Sequence, residues 1–105
     1  MKFSVIAWDK PGAEGVALRD ELRDAHMESI TRRFHDGNVL FGAGFYDDEG
    51  VVRGSLVILD VPSRADVDAY LESEPFQRAG LWATVEVSEL RVPDFYVERM
   101  GPTVR

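Results

Sequence analysis

The sequence predicts a single α+β domain whose elements run strand, helix, strand, strand, helix, strand. Three observations carry that expectation. Four segments show the two-residue or two-sided apolar pattern of strands, and two show apolar residues at helical spacing. Clusters of Pro, Gly, Asn and Asp separate them. The chain has 105 residues, and a length near ~100–150 residues suits one compact unit.

Phe3, Val5 and Ala7 alternate with Ser4, Ile6 and Trp8, a strand stopped by Pro11 and Gly12. A loop through Gly15 is expected next. It leads into a helix marked by Leu18, Leu22, Ile30 and Phe34. That helix should end near His35, because Gly37 and Asn38 are breakers and Arg32 and Arg33 suit the negative end of the dipole. Val39 to Tyr46 is the second strand, interrupted by Gly42 and Gly44. Asp47, Asp48, Glu49 and Gly50 form a turn, and Val51 to Val61 returns as the third strand of a β-hairpin. Ser63 is the expected N-cap of the second helix, with Asp66 in its first turn and Val67, Tyr70 and Leu71 as its buried stripe. Pro75 should break it. After Gly80, Trp82 to Val92 reads as the last strand. The domain is then 1–97 with a C-terminal tail at 98–105; Phe95, Tyr96 and Val97 should dock, and fraying is expected beyond Gly101 and Pro102.

Right-handed crossovers leave few topologies for this order. The best fit is a ferredoxin-like βαββαβ fold: a four-stranded antiparallel sheet with both helices on one face. The second strand offers Val39, Phe41, Ala43 and Phe45 to one face and Leu40 and Tyr46 to the other. The third strand offers Leu56 and Ile58 to one face, with Val51, Val57, Leu59 and Val61 on the opposite one. A sheet apolar on both faces needs a second cover, which predicts a homodimer formed sheet to sheet.

Composition narrows the chemistry. Lys plus Arg is 12 and Asp plus Glu is 19, for a formal charge of −7. Such a chain repels phosphate backbones and anionic lipid, so neither nucleic acid nor membrane is an expected partner. With no cysteine, disulfides, a thiolate nucleophile and zinc-finger or iron–sulfur ligand sets are excluded. The short apolar run from Met1 to Trp8 lacks the length of a secretory signal, and no stretch reaches the ~20 apolar residues of a membrane span. A cytoplasmic location is expected. The two histidines have no metal-binding spacing, so no metal or cofactor is expected.

His26 stands four residues from both Leu22 and Ile30, in or beside the apolar stripe of the first helix. It is compatible with a core-edge histidine bonded to a backbone carbonyl, and with a general acid or base. Glu74 continues the stripe of the second helix, three after Leu71 and four after Tyr70. It either turns outward at the helix break or is a placed carboxylate. Since both helices pack on one sheet face, the two side chains could meet. A carboxylate would then set the imidazole tautomer and stabilise the imidazolium. Gly42–Ala43–Gly44 lies inside a strand, which points to a bulge or a close backbone approach beside a cavity rather than a phosphate loop. Ser55 has no nucleophile-elbow context and reads as polar lining. His35 is ordinary helix-end chemistry. Arg53–Gly54–Ser55–Leu56–Val57 echoes an RNA-recognition strand, but the stacking aromatics are absent.

Taken together, these residues resemble the YCII-related (YciI-like) domain family from the first strand to about Phe95. The matching pieces are Arg23 and His26 in the first helix, Ala43–Gly44, Gly54–Ser55, the corner Glu74–Pro75–Phe76, Gly80, and the ending Val92–Pro93–Asp94–Phe95. The resemblance implies a ferredoxin-like fold dimerising through its sheets, with a pocket served by a histidine and an aspartate. His26 maps onto the histidine; Glu74 stands where aspartate is usual, and Phe45 where proline is common. The implied function is a cofactor-independent lyase or isomerase, with His26 moving a proton and Glu74 orienting it. Gly44, Ser55 and Phe76 would line the substrate site. The alternatives are a non-catalytic ligand-binding or regulatory dimer, and a cofactor-free monooxygenase of the dimeric α+β barrel type.

Overall fold

The computed structural model describes residues 1–100. Four strands, β1 (Lys2–Asp9), β2 (Val39–Tyr46), β3 (Val52–Asp60) and β4 (Trp82–Leu90), form one antiparallel sheet in the order β2-β3-β1-β4. The helices are α1 (Gly12–His35), α2 (Arg64–Ser73), the single turn α3 (Pro75–Arg78) and a terminal α4 (Asp94–Met100). This is the ferredoxin-like α+β arrangement expected from the sequence. The fraying expected beyond Gly101 and Pro102, and the end of the tail at 101–105, lie outside the described residues.

One face of the sheet packs against α1, α2 and α3. Phe3, Val5 and Ala7 of β1 register with Leu59, Val57 and Ser55 of β3 on that face. Val67, Tyr70, Phe76 and Leu81 close over them as a buried core.

Three expectations change. The loop through Gly15 is absent: Pro11 is extended, Gly12 adopts φ 72°, and α1 begins there. Only glycine takes that left-handed turn at little cost, so the chain swings from strand to helix in two residues. Second, Val39 does not share a face with Phe41, Ala43 and Phe45. The register slips between Val39 and Phe41, so Val39 opposes inward Leu59 while Phe41, Ala43 and Phe45 oppose Ile58, Leu56 and Gly54. A bulge inserts one residue and reverses the two-residue phase beyond it. Third, of the three residues expected to dock, Phe95 and Tyr96 stay 64% and 53% exposed on α4 and Val97 alone is half-buried.

The slip makes the helix-free face of the sheet more apolar. Trp8 and Phe45 come from strands on either side of β3 and stack at 4.9 Å above Gly54. A Cβ at Gly54 would sit 2.8 Å from the Trp8 ring, so any side chain there would part the two aromatics.

The β2–β3 turn is organised by Asp47. Its Oδ1 accepts from the Glu49 and Val51 amides at 2.9 and 3.0 Å, and its Oδ2 accepts from Arg53 Nε at 2.9 Å. The Val51 amide first, then the Arg53 guanidinium, hold the carboxyl below the usual carboxylate range. A carboxyl with a lowered folded pKa binds fewer protons than in the unfolded chain. Its contribution is therefore complete above the unfolded value of ~3.9 and disappears as pH falls through the folded one. In Asp47→Asn this contribution is missing. The gap in Tm between wild type and variant is expected to narrow on acidification from about pH 5 to about pH 2; a constant gap would refute the assignment.

Candidate functional site

An open cavity of about 800 Å³ lies between α1 and the β2–β3 hairpin. Arg19, Arg23, His26 and Ile30 line it from α1; at steps of four, three and four residues they share one helix face. Opposite them, Gly42 and Gly44 register with Val57 and Ser55 of β3 on the helix side of the sheet. With no side chains at 42 and 44, the β2 part of the cavity floor is backbone at those two positions, beside the side chains of Val57 and Ser55.

His26 and Glu74, expected to be able to meet, are in contact: His26 Nδ1 lies 2.6 Å from Glu74 Oε1. The His26 side chain is 13% exposed and that of Glu74 0%. Glu74 therefore does not turn outward. It caps two helices at once, ending α2 and starting α3 before Pro75. Pro75 forces the break because it cannot supply an amide and disfavours helix at the preceding residue. The extra methylene relative to aspartate still reaches the imidazole.

The buried carboxylate is well supplied with donors. Oε1 also accepts from the Phe76 amide at 3.1 Å, and Oε2 accepts from the Tyr70 hydroxyl at 3.2 Å. Burial, and then the negative charge of Glu74, push the Tyr70 phenol above its ordinary pKa, so it remains a hydrogen-bond donor. Every strong partner of this carboxylate donates. His26 Nδ1 accordingly carries a proton, which leaves Nε2 as the acceptor in the neutral ring.

Phe76 is completely buried and stacks on His26 with ring centres 4.0 Å apart and planes 11° from parallel. This stacking and the Glu74 bond fix both the plane and the rotation of the imidazole. Gly44 and Ser55 line the same cavity.

A second polar group adjoins the first. Arg19 donates to both oxygens of Asp9, at 2.6 and 3.0 Å, and to Ser55 Oγ at 2.8 Å. Its guanidinium carbon lies 4.6 Å from the centre of the Phe76 ring. The roles of Asp9, Arg19 and Tyr70 were missed in the sequence. The signal for Asp9 was its place in the inward phase of Phe3, Val5 and Ala7; that for Arg19 was its separation of seven from His26. Tyr70 could be read only as core, because nothing local reveals what its hydroxyl reaches. Arg23 lines the cavity and has no hydrogen-bond or ion-pair partner among the described residues. Among those residues, no group of three His, Asp or Glu side chains is placed to hold a metal ion, and no helix is long and apolar enough to cross a membrane.

The sequence profile of the YCII-related domain matches residues 1–91. Among solved structures, the chain is similar to 5-chloro-2-hydroxyhydroquinone dehydrochlorinase from Burkholderia phenoliruptrix, determined in complex with 2,5-dihydroxybenzoquinone. The TM-score is 0.77 at 23% identity, over 90% of this chain and 98% of that one. A protein from Mycobacterium tuberculosis is similar at TM-score 0.50 and 21% identity, over 90% of this chain and 97% of that one. A dimeric ferredoxin-like protein of unknown function from a Jannaschia species follows at TM-score 0.48 and 15% identity, over 87% and 98% of the two chains. Comparison with curated proteins finds no match.

Proposed function

The chain belongs to the YCII-related domain family, and we propose that it is a small-molecule enzyme of the lyase or isomerase type in which His26 moves a proton. One observation carries the reading: a fully buried carboxylate, held by three donors, fixes the histidine that lines the cavity. With Nδ1–H bonded to Glu74, Nε2 takes a proton from an acidic C–H or O–H of the substrate. The imidazolium that forms is stabilised by the adjacent carboxylate, and Nε2 then returns the proton to another atom or to water. Glu74 is a positioning residue; it does not touch the reacting atoms. Gly44, Ser55 and Phe76 shape the space around them. Such acid–base chemistry requires no group beyond this pair.

Chloride release from 5-chloro-2-hydroxyhydroquinone, and deuterium uptake from D₂O into a panel of small ketones and phenols, test the reading. Wild type is expected to turn over at least one compound, and His26→Asn to lose that activity. Activity kept within tenfold in His26→Asn overturns the assignment. Binding of 2,5-dihydroxybenzoquinone without turnover of any panel member replaces it with a ligand-binding dimer.

The proposal includes a cytoplasmic homodimer joined through the open sheet faces. Ile6, Trp8, Phe41, Phe45, Leu56 and Ile58 share that face, with Trp8 and Phe41 45% and 44% exposed. A patch of this kind on a lone chain is an association surface. Light scattering at micromolar concentration should give the mass of two chains, and Trp8→Glu should shift it toward one. A wild-type mass of one chain rules the dimer out.

A further inference from the structure

The cavity is larger than the His26–Glu74 pair needs. A void of about 150 Å³ accommodates benzene, whereas this one measures about 800 Å³. Its lining on α1 runs from Val16 to Phe34, which is roughly 27 Å at the helical rise per residue.

The two ends differ in chemistry. The end nearest the start of α1 carries the charged and hydroxyl groups, Arg19, Asp20, Arg23 and Ser55, set among Val16, Val51 and Val52. Beyond His26 the lining becomes Met27, Ile30, Thr31 and Phe34 on α1, facing Val39 and Leu40. Thr31 is the sole hydroxyl among those six. A short link at residues 36–38 joins α1 to β2, so the two elements run in opposite directions. At about 3.3 Å per strand residue and 1.5 Å per helix residue, Gly42 comes level with Met27, where the polar end gives way to the apolar one.

Resting on the proton-transfer reading, we infer that the substrate has a polar reactive head and an extended apolar arm. The head sits at His26, Arg23 and Ser55. The arm lies along Ile30 and Phe34, over the bare backbone of Gly42. The glycine is the specificity-determining residue, since any side chain there would project into the path of the arm.

Gly42 is also a position where this can be tested without disturbing the fold. Its φ is not positive, and an added Cβ would meet only Leu56 O at 3.6 Å, an ordinary contact. Gly44 is tighter, with Val52 Cγ1 3.3 Å from the corresponding Cβ. Gly42→Leu is therefore expected to fold, which its melting curve verifies. Thr31→Phe narrows the same arm from an exposed helix position and serves if Gly42→Leu melts early.

The experiment is calorimetric titration of full-length wild type with 4-alkylcatechols carrying methyl, propyl, pentyl and heptyl chains. Kd should tighten by about fourfold per methylene until the arm is filled. In Gly42→Leu the gain in affinity from methyl to heptyl should be lost. Affinity that ignores chain length in wild type, or a gain that survives both variants, overturns the inference. Assaying wild-type turnover of the panel beside the binding series separates the two readings. A chain-length gain in a wild type that turns over nothing sinks the catalytic reading alone, whereas turnover without that gain sinks only the arm.

Discussion

In His26→Asn, turnover should fall by ~10²–10⁴, the usual contribution of a positioned acid–base group, while the fold survives. The imidazole is the one group in the cavity with a free acceptor nitrogen and a buried carboxylate behind it. Asparagine keeps a polar side chain near Glu74 but cannot shuttle a proton. Stability should fall by about 1–3 kcal/mol, since the bond to the buried carboxylate and the stacking on Phe76 are lost while Glu74 keeps the Tyr70 hydroxyl and the Phe76 amide. Thermal melts and single-turnover rates on one preparation check both halves of the expectation.

Glu74→Gln separates charge from geometry. The amide oxygen can accept from His26 Nδ1 and the Phe76 amide, while its nitrogen donates to the Tyr70 oxygen, so every bond at this carboxylate has a replacement. The tautomer of His26 is preserved. What disappears is the negative charge facing the imidazolium, a hydrogen bond to a charged group worth about 1.5–3 kcal/mol. If the whole of that loss falls on the transition state, turnover drops roughly ten- to hundredfold. Nitrogen NMR of His26 should report the same tautomer in both proteins; a switched tautomer would show that Glu74 acts through geometry.

The second large effect is on folding. Gly15→Ala drives a Cβ into the carbonyl oxygen of Lys10, in the link between β1 and α1. Both sides of that contact are backbone, so no flexible side chain can move aside. The helix must shift away from the strand, at a cost of about 3 kcal/mol or more. Arg19 lies one turn beyond and is tied to Asp9 at the end of β1, so the displacement also strains that ion pair. Denaturant titration should show a clearly lower midpoint for Gly15→Ala. A loss below about 1 kcal/mol would mean that the junction yields more readily than this packing implies.

Much of the fold was legible because its signals are local. The β2–β3 hairpin announces itself through Asp47 to Gly50 between two apolar runs, and the end of α1 through Gly37, which takes φ 85°. The start of α1 was misread because Gly12 and Gly15 look like loop residues. In fact one makes the turn and the other lets the helix pass close against the link at Lys10. The phase of β2 was misread because a bulge has no sequence signature in a run apolar on both faces.

The candidate site divides in the same way. Periodicity alone marked His26 and Glu74 as polar residues where apolar ones belong, and Pro75 marked the break that frees the Glu74 side chain. Element order and the apolar second face of the sheet were equally accessible, because each follows from spacing along the chain. Only the tertiary structure decided that the two side chains lie 2.6 Å apart, that Tyr70 and the Phe76 amide complete the carboxylate, and that Asp9 and Arg19 stand beside them. His26 and Glu74 are 48 residues apart in the chain, and contacts at that separation depend on how helices dock on a sheet. A hydrogen bond tolerates only a few tenths of an ångström, which no pattern of residue types along a sequence can specify.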